Sequence, residues 1–315
     1  MGLDADNRGA AMRVYVTGGG LGFIGGHVVH VLRERGVDVR DDYVDVLDAA
    51  GLERAMERCD AVVHVAALYS YDRRDEAALA RVNIEGTRTV LAAAARAGVT
   101  RIVHTSTAGT CGPVPGRSAT EADGPPAWEL RVPYKRTKLE AERIALAAGA
   151  VVVNPTTPVG EGDTRPTPTG RMIAGVAAGR FRGYIPTTGL NVVDVGDVAL
   201  GHALALERGR PGERYLLGGT DVWLGDFFAT VATAAGRPPP RIRVPYAAAR
   251  AAAALGLVHG NEVALARLPM FFSTEKAERE LGYRRSAIEP AIARAVATTP
   301  VRAARRATEG AGRRP

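Results

Sequence analysis

Two side chains one helical turn apart carry the first chemical signal, Tyr134 and Lys138 in "YKRTK". At this spacing on a helix they share a face. A free phenol titrates at about pH 10 and is a poor base near neutrality. An ammonium one turn away favours the phenolate and makes the group a usable acid/base. Upstream, "HTSTAGTCG" sets Ser106 and Thr107 where a strand runs into a loop. Either hydroxyl could hydrogen-bond a substrate oxygen beside the phenol. A third signal is "VTGGGLGFIGGH", in which Gly19, Gly22 and Gly25 follow the apolar run "MRVYV" and precede an amphipathic stretch closed by Gly36. Glycines at such a turn let the backbone approach a pyrophosphate, and the N–H groups and dipole of the next helix form an anion site. Singly, each signal is weak, because a solvated helix face, a capped strand end or a tight turn would look the same.

The elements that must position these residues alternate along the chain. The segments 37–40, 43–46, 60–67, 101–109 and 150–155 read as strands, and 49–59, 75–98 and 134–149 as helices. Strands alternating with helices of this length predict parallel βαβ units, hence an α/β fold with a doubly wound parallel sheet of Rossmann type. That order brings the three signals to one sheet edge, where the loops carry the chemistry. Past Pro155 the texture changes to "TTPVGEGDTRPTPTG", a long loop, followed by helices at 196–208, 223–235 and 273–283 and a strand at 214–219. The expected organisation is a dinucleotide-binding core over 12–154, with 191–219 returning to it. A smaller interleaved C-terminal substrate lobe would cover 155–190 and 220–298, and 299–315 would be a disordered basic tail.

Composition narrows the alternatives. Of the net charge of +7, the last fifteen residues supply five arginines against one glutamate, so the body is only mildly basic and no nucleic-acid partner is expected. Cys59 and Cys111 form no disulfide framework and no metal-binding pattern, which points to a reducing cytoplasm and to no metal. The N-terminal "MGLDADNRGAAM" lacks the apolar centre of a signal peptide. "YAAARAAAALGLVHG" is interrupted by Arg250 and is too short to span a bilayer, so it reads as a packed helix.

Taken together, the glycine turn, "HVAA" (64–67), "VNIEGT" (82–87), "HTSTAG", the Tyr/Lys pair and "NPTTPVG" (154–160) resemble the extended short-chain dehydrogenase/reductases, and more narrowly the NAD-dependent epimerase/dehydratase family. "RPTPTGRMI", "GLNVVDVGDVALGHALALERG" and "GERYLLGG" are most similar to its hopanoid-associated sugar epimerase and dihydroflavonol reductase-like members. The resemblance runs from about Met12 to Ala297. It implies a small-molecule substrate, a sugar or natural-product intermediate, with hydride passing between nicotinamide and a carbinol or ketone carbon. Tyr134 is then the acid/base, Thr107 its hydroxyl partner, and Lys138 tunes the phenol and bonds the nicotinamide ribose. Asn83 supports the active-site network, Pro155 lies near the nicotinamide amide and Asp45 faces the adenine. Phe23 and Ile24 of the turn and Ala66 of "HVAA" belong to the implied cofactor set. A simple ketone reductase, and a member that has lost redox function and serves as a dinucleotide sensor or does non-redox chemistry, are the alternatives. A homodimer is left open.

Three departures from the family pattern matter. One residue is inserted between Thr17 and the spaced glycines, which predicts a bulge at the strand end with the phosphate turn preserved. Only Arg40, Asp41 and Asp42 separate the second and third strand candidates, where an acid would hold the ribose 2′-hydroxyl or an arginine a 2′-phosphate. Two aspartates against one arginine tip the expectation from NADP towards NAD. Ala108-Gly109 replaces the Asp-Glu pair of the family's 4,6-dehydratases, so dehydration by that route is not expected.

Overall fold

The computed structural model describes residues 11–258 and 260–299, so the tail beyond Thr299 lies outside the described residues. Val14, Tyr15 and Val16 sit in β1 (Arg13–Thr17) with no exposure, as a parallel strand covered on both faces requires. After the glycine turn come α1 (Phe23–Glu34), β2 (Asp38–Arg40), α2 (Ala49–Met56) and β3 (Ala61–His64). A continuous helical stretch then begins as α3 (Glu76–Leu79), widens to π-helix at Ala80–Glu85 and continues as α4 (Gly86–Arg96). It leads to β4 (Arg101–Thr105), α5 (Pro133–Ala147), β5 (Val151–Pro155), β6 (Thr157–Val159), α6 (Pro168–Ala177), β7 (Gly183–Tyr184) and β8 (Gly189–Asp194). The remainder is α7 (Val195–Arg208), β9 (Arg214–Leu217), β10 (Thr220–Trp223), α8 (Leu224–Ala234), β11 (Ile242–Arg243), α9 (Tyr246–Ala254), α10 (Gly260–Leu265), α11 (Glu275–Leu281) and α12 (Ile288–Thr298).

Six strands form one parallel sheet in the order β2-β1-β3-β4-β5-β9. The two-residue period of each strand divides its side chains between two cores. Val14, Val16, Val63, Val103 and Val153 meet Val28 and Leu32 of α1 and Leu204 of α7 on one face. Tyr15, Val62, Ile102 and Val152 meet Leu52 and Met56 of α2, Val90 of α4 and Ala145 of α5 on the other. Each such Val or Leu contributes about 1.5–3 kcal/mol on burial, so both helical layers are held firmly. The chain is therefore an α/β, doubly wound Rossmann fold. A smaller mixed sheet, β10-β8-β6, lies with α6, α8 and α12 around a third core that includes Ile173, Phe227, Phe228 and Ile292.

The structure corrects two expectations. Residues 43–46 are not a strand: β1 already pairs with β2 on one edge and β3 on the other, so "YVDV" crosses as irregular chain and turns into α2. The alanine-rich "YAAARAAAALGLVHG" is helical in part but not packed. Only Ala249 of α9 is buried, and Leu255 and Leu257 beyond its end are exposed. Methyl side chains offer too little apolar area to hold that helix against a core. Among the described residues no helix is long and apolar enough to cross a membrane.

Candidate active site

A cavity of about 1140 Å³ opens along the carboxyl ends of β1, β3, β4 and β5. Its first wall is the glycine turn. The inserted residue is absorbed by two successive left-handed glycines, Gly18 (φ 76°) and Gly19 (φ 52°), just past the end of β1. A Cβ on Gly19 would stand 2.2 Å from the Asp41 carbonyl oxygen, and one on Gly25 2.8 Å from the Gly19 oxygen, so both positions require glycine. A Cβ on Gly22, in contrast, would meet nothing nearer than the Gly25 amide nitrogen at 4.0 Å, and Gly22 is the N-cap of α1 without a capping side chain. Uncapped N–H groups at the start of a twelve-residue helix, reached without an intervening side chain, fit the pyrophosphate of a dinucleotide. Thr17 locks this wall in place. Its hydroxyl accepts the Val65 and Ala66 amides (both 3.1 Å) and donates to His64 Nδ1 (2.9 Å), while His64 Nε2 donates to Thr87 (3.2 Å).

The second wall comes from β4 and α5. Thr107 leaves the end of β4 and caps a short 3-10 turn, its hydroxyl accepting the Gly109 amide at 3.3 Å. Pro133 opens α5, which brings Tyr134 and Lys138 to the same cavity. Burial pushes the Tyr134 phenol well above its ordinary pKa, the Tyr69 hydroxyl adds to that, and the Thr107 hydroxyl opposes it. Of the two hydroxyls at the end of β4, Thr107 is the one that acts on the phenol. The buried Ser106 hydroxyl has no hydrogen-bond partner among the described residues. The Lys138 ammonium donates to the Thr105 carbonyl at 2.8 Å. Burial lowers Lys138 to about 8, opposed by Glu142.

Of the residues singled out from sequence, Gly19, Gly22, Phe23, Ile24, Gly25, Asp45, Ala66, Thr107, Tyr134, Lys138 and Pro155 all line the cavity. Four do not. Asn83 stands behind it, bonded to both backbone groups of Leu68 (2.8 and 3.1 Å) and to Thr137 (3.3 Å). Arg40, Asp41 and Asp42 also stay outside the lining. Arg40 turns to the Glu57 carbonyl (3.3 Å), Asp41 pairs with Arg33 (2.8 Å), and Asp42 lends its carbonyl to Tyr15 (3.2 Å). With 43–46 no longer a strand, Asp45 takes the cavity position instead.

Other groups carry no motif. Tyr69 and Tyr71 leave the loop after β3 and pack on Tyr134, with ring centroids 4.4 and 5.9 Å away. Asn154 donates to the Thr107 carbonyl (3.1 Å) and to Glu142 (2.7 Å), and Glu142 also holds Thr110 (2.6 Å) and Arg214 (2.6 Å). This buried network fixes the loop that carries Thr107. Only the doubled "YSY" and the polar Asn154 at the end of an all-valine strand hinted at it. The lining also includes the apolar side chains of Leu68, Met172, Leu190 and Phe272, together with Arg165, Thr169, Thr188 and Glu262. Among the described residues there is no cluster of metal-ligating side chains.

Comparison with known proteins gives a consistent picture. The family model described as "NAD dependent epimerase/dehydratase family" matches residues 14–218. A Synechocystis sp. protein, provisionally named dihydroflavonol 4-reductase, is 36% identical over 90% of this chain and 93% of its own. A Stigmatella aurantiaca enzyme named 4-hydroxy-2-methyl-3-oxo-4-farnesyl-3,4-dihydroquinoline-1-oxide ketoreductase is 33% identical over 86% of this chain and 92% of its own. Among solved structures, a Thermus thermophilus UDP-glucose 4-epimerase in complex with NAD superposes with a TM-score of 0.75 at 26% identity, covering 91% of this chain and 99% of that one.

Proposed function

We propose that this chain, which belongs to the NAD-dependent epimerase/dehydratase family, works as a ketone reductase on an apolar natural-product carbonyl. The family makes it an NAD-dependent oxidoreductase or epimerase of the extended short-chain type. The finer reading assigns Thr107, Tyr134 and Lys138 as the catalytic set. When bound, nicotinamide supplies or accepts the hydride. The chain's residues do the rest. Gly22 and the start of α1 would hold the pyrophosphate, Asp45 the adenosine end, and Lys138 the ribose. Tyr134 gives its phenolic proton to the carbonyl oxygen as the alcohol forms, and Thr107 orients that oxygen. In this reading 12–154, with 191–219, hold the cofactor, and 155–190 with 220–298 hold the substrate.

The observation that carries the direction is the likeness over most of the chain to relatives named as reductases, the Synechocystis protein and the Stigmatella enzyme. Leu68, Met172, Leu190 and Phe272 in the lining give an apolar substrate a surface to pack on. The name of the Stigmatella relative likewise describes a ketone with a hydroxyl on the neighbouring carbon. Free buried Cys59 and Cys111 support a reducing compartment.

A second reading, a sugar epimerase, is favoured by the likeness to the NAD-bound Thermus enzyme. The two differ in what happens to cofactor. A reductase oxidises added NADH or NADPH stoichiometrically with a ketone and releases the product. An epimerase retains one tightly bound cofactor through many turnovers without net oxidation. Retention of that kind, with no ketone-dependent NAD(P)H oxidation, would overturn the reductase reading.

A further inference from the structure

One charged pair in the cavity wall is not used by the chemistry above. Lys135 follows Tyr134 directly, is 3% exposed, and lines the cavity. Its ammonium lies 3.2 Å from Glu129, which is 0% exposed and comes from the 3-10 turn before α5. Neither Glu129 oxygen has a hydrogen-bond partner among the described residues, so the two side chains are joined by an ion pair alone. Burying two charges for a single contact is costly, and an apolar pair of similar volume would serve packing as well or better. An ammonium carries three donors, and a single ion contact cannot occupy all of them.

Gly109 explains how the ammonium reaches the cavity. A Cβ on Gly109 would stand 2.1 Å from Lys135 Nζ and within 3.0 Å of its last two carbons. The lysine end therefore lies on the glycine backbone, in the volume any side chain there would take. The Gly109 amide is also the donor to Thr107 Oγ1. Through these short links the ammonium is within about 8 Å of the Thr107 hydroxyl. Two donors so spaced can each hold an oxygen of one substrate when those oxygens sit on carbons one or two bonds apart.

We propose that Lys135, seated on Gly109 and balanced by Glu129, is a specificity-determining residue that hydrogen-bonds a second, neutral oxygen of the substrate beside the carbonyl that Thr107 and Tyr134 handle. The substrate class is a hydroxyketone or a 1,3-dicarbonyl compound. A carboxylate is disfavoured because Glu129 already neutralises the ammonium. The inference rests on the ketone-reductase reading.

The test is discrimination between matched ketones, 2-hydroxycyclohexanone and cyclohexanone, followed by NAD(P)H oxidation. The native protein should prefer the hydroxyketone by about 10- to 100-fold in kcat/KM, the range of a hydrogen bond to a charged group. Lys135→Met should bring that ratio towards one, chiefly through the KM of the hydroxyketone. Gly109→Ala should do the same while keeping the lysine, because it displaces the ammonium. Lys135→Met/Glu129→Gln avoids a stranded buried carboxylate and keeps the test valid if the single variant fails to fold. Equal loss on both ketones, or no preference in the native protein, would overturn the proposal. Absence of turnover with either ketone counts against the reductase reading alone. Calorimetric binding of the same two ketones to cofactor-loaded protein then reads Lys135 separately, and must show the preference in the native chain and its loss in Lys135→Met.

Discussion

In the proposed reaction Tyr134 moves the proton, and burial holds its phenol protonated at rest. Tyr69 and Tyr71 exclude water from it, and Thr107 is the group that opposes the upward shift. Removing only the hydroxyl, as in Tyr134→Phe, should lower kcat by about 10²–10⁴-fold. NADH affinity and the melting temperature should stay near native values, read by fluorescence titration and thermal unfolding. Gly22→Val tests the opposite wall. Its Cβ would meet only the Gly25 amide nitrogen, at an ordinary 4.0 Å, so the fold should survive while NADH binding is lost. A valine variant that still titrates with NADH would remove the turn from the cofactor site.

At the scale of elements, short local patterns could be read directly and distant pairings could not. The Tyr/Lys spacing in α5, Thr107 at the end of β4 and the glycines before α1 depend only on near neighbours, so the sequence points to them. The side chains of Arg40 and Asp41 are bonded to Glu57 and Arg33, partners that no spacing along β2 reveals. The alternation of "YVDV" suits a strand, but β1 has no edge left to pair with it. The Asn154–Glu142–Arg214 network depends on β9 lying beside β5, a contact made only after the chain has passed through α6 and α7. This rearrangement changes the expected origin of cofactor preference. Asp45→Ala should weaken NADH binding. Arg40→Ala and Asp41→Ala should leave the ratio of NADH to NADPH affinity as in the native protein. A reversed ratio in Arg40→Ala would restore that arginine to the site.

For the whole molecule, the sheet that carries the site also buries three histidines in neutral form. His202 donates to the Val198 carbonyl (2.8 Å) and accepts the Thr105 hydroxyl (2.9 Å), and burial lowers it to about 4. Burial, with Lys138 adding, lowers His64 to about 3 and His104 well below its usual value. Since these folded pKa values lie below the unfolded 6.5, the unfolded chain takes up protons first as pH falls. The stabilisation is complete above about pH 6.5 and is lost as pH drops towards 4, His202 alone accounting for on the order of 3 kcal/mol. Denaturant unfolding between pH 7 and 4 should show that decline, and His202→Gln should make it shallower. The same architecture makes the central claim, that the glycine turn and Tyr134 serve one redox cavity, open to direct test. The decisive measurement is transfer of deuterium from C4-deuterated NADH to 2-hydroxycyclohexanone, read by mass spectrometry of the diol. The native protein should place one deuterium on the new carbinol carbon from one face of the nicotinamide, and Tyr134→Phe should place almost none while still binding NADH. A diol without deuterium, or equal labelling by Tyr134→Phe, would contradict the account.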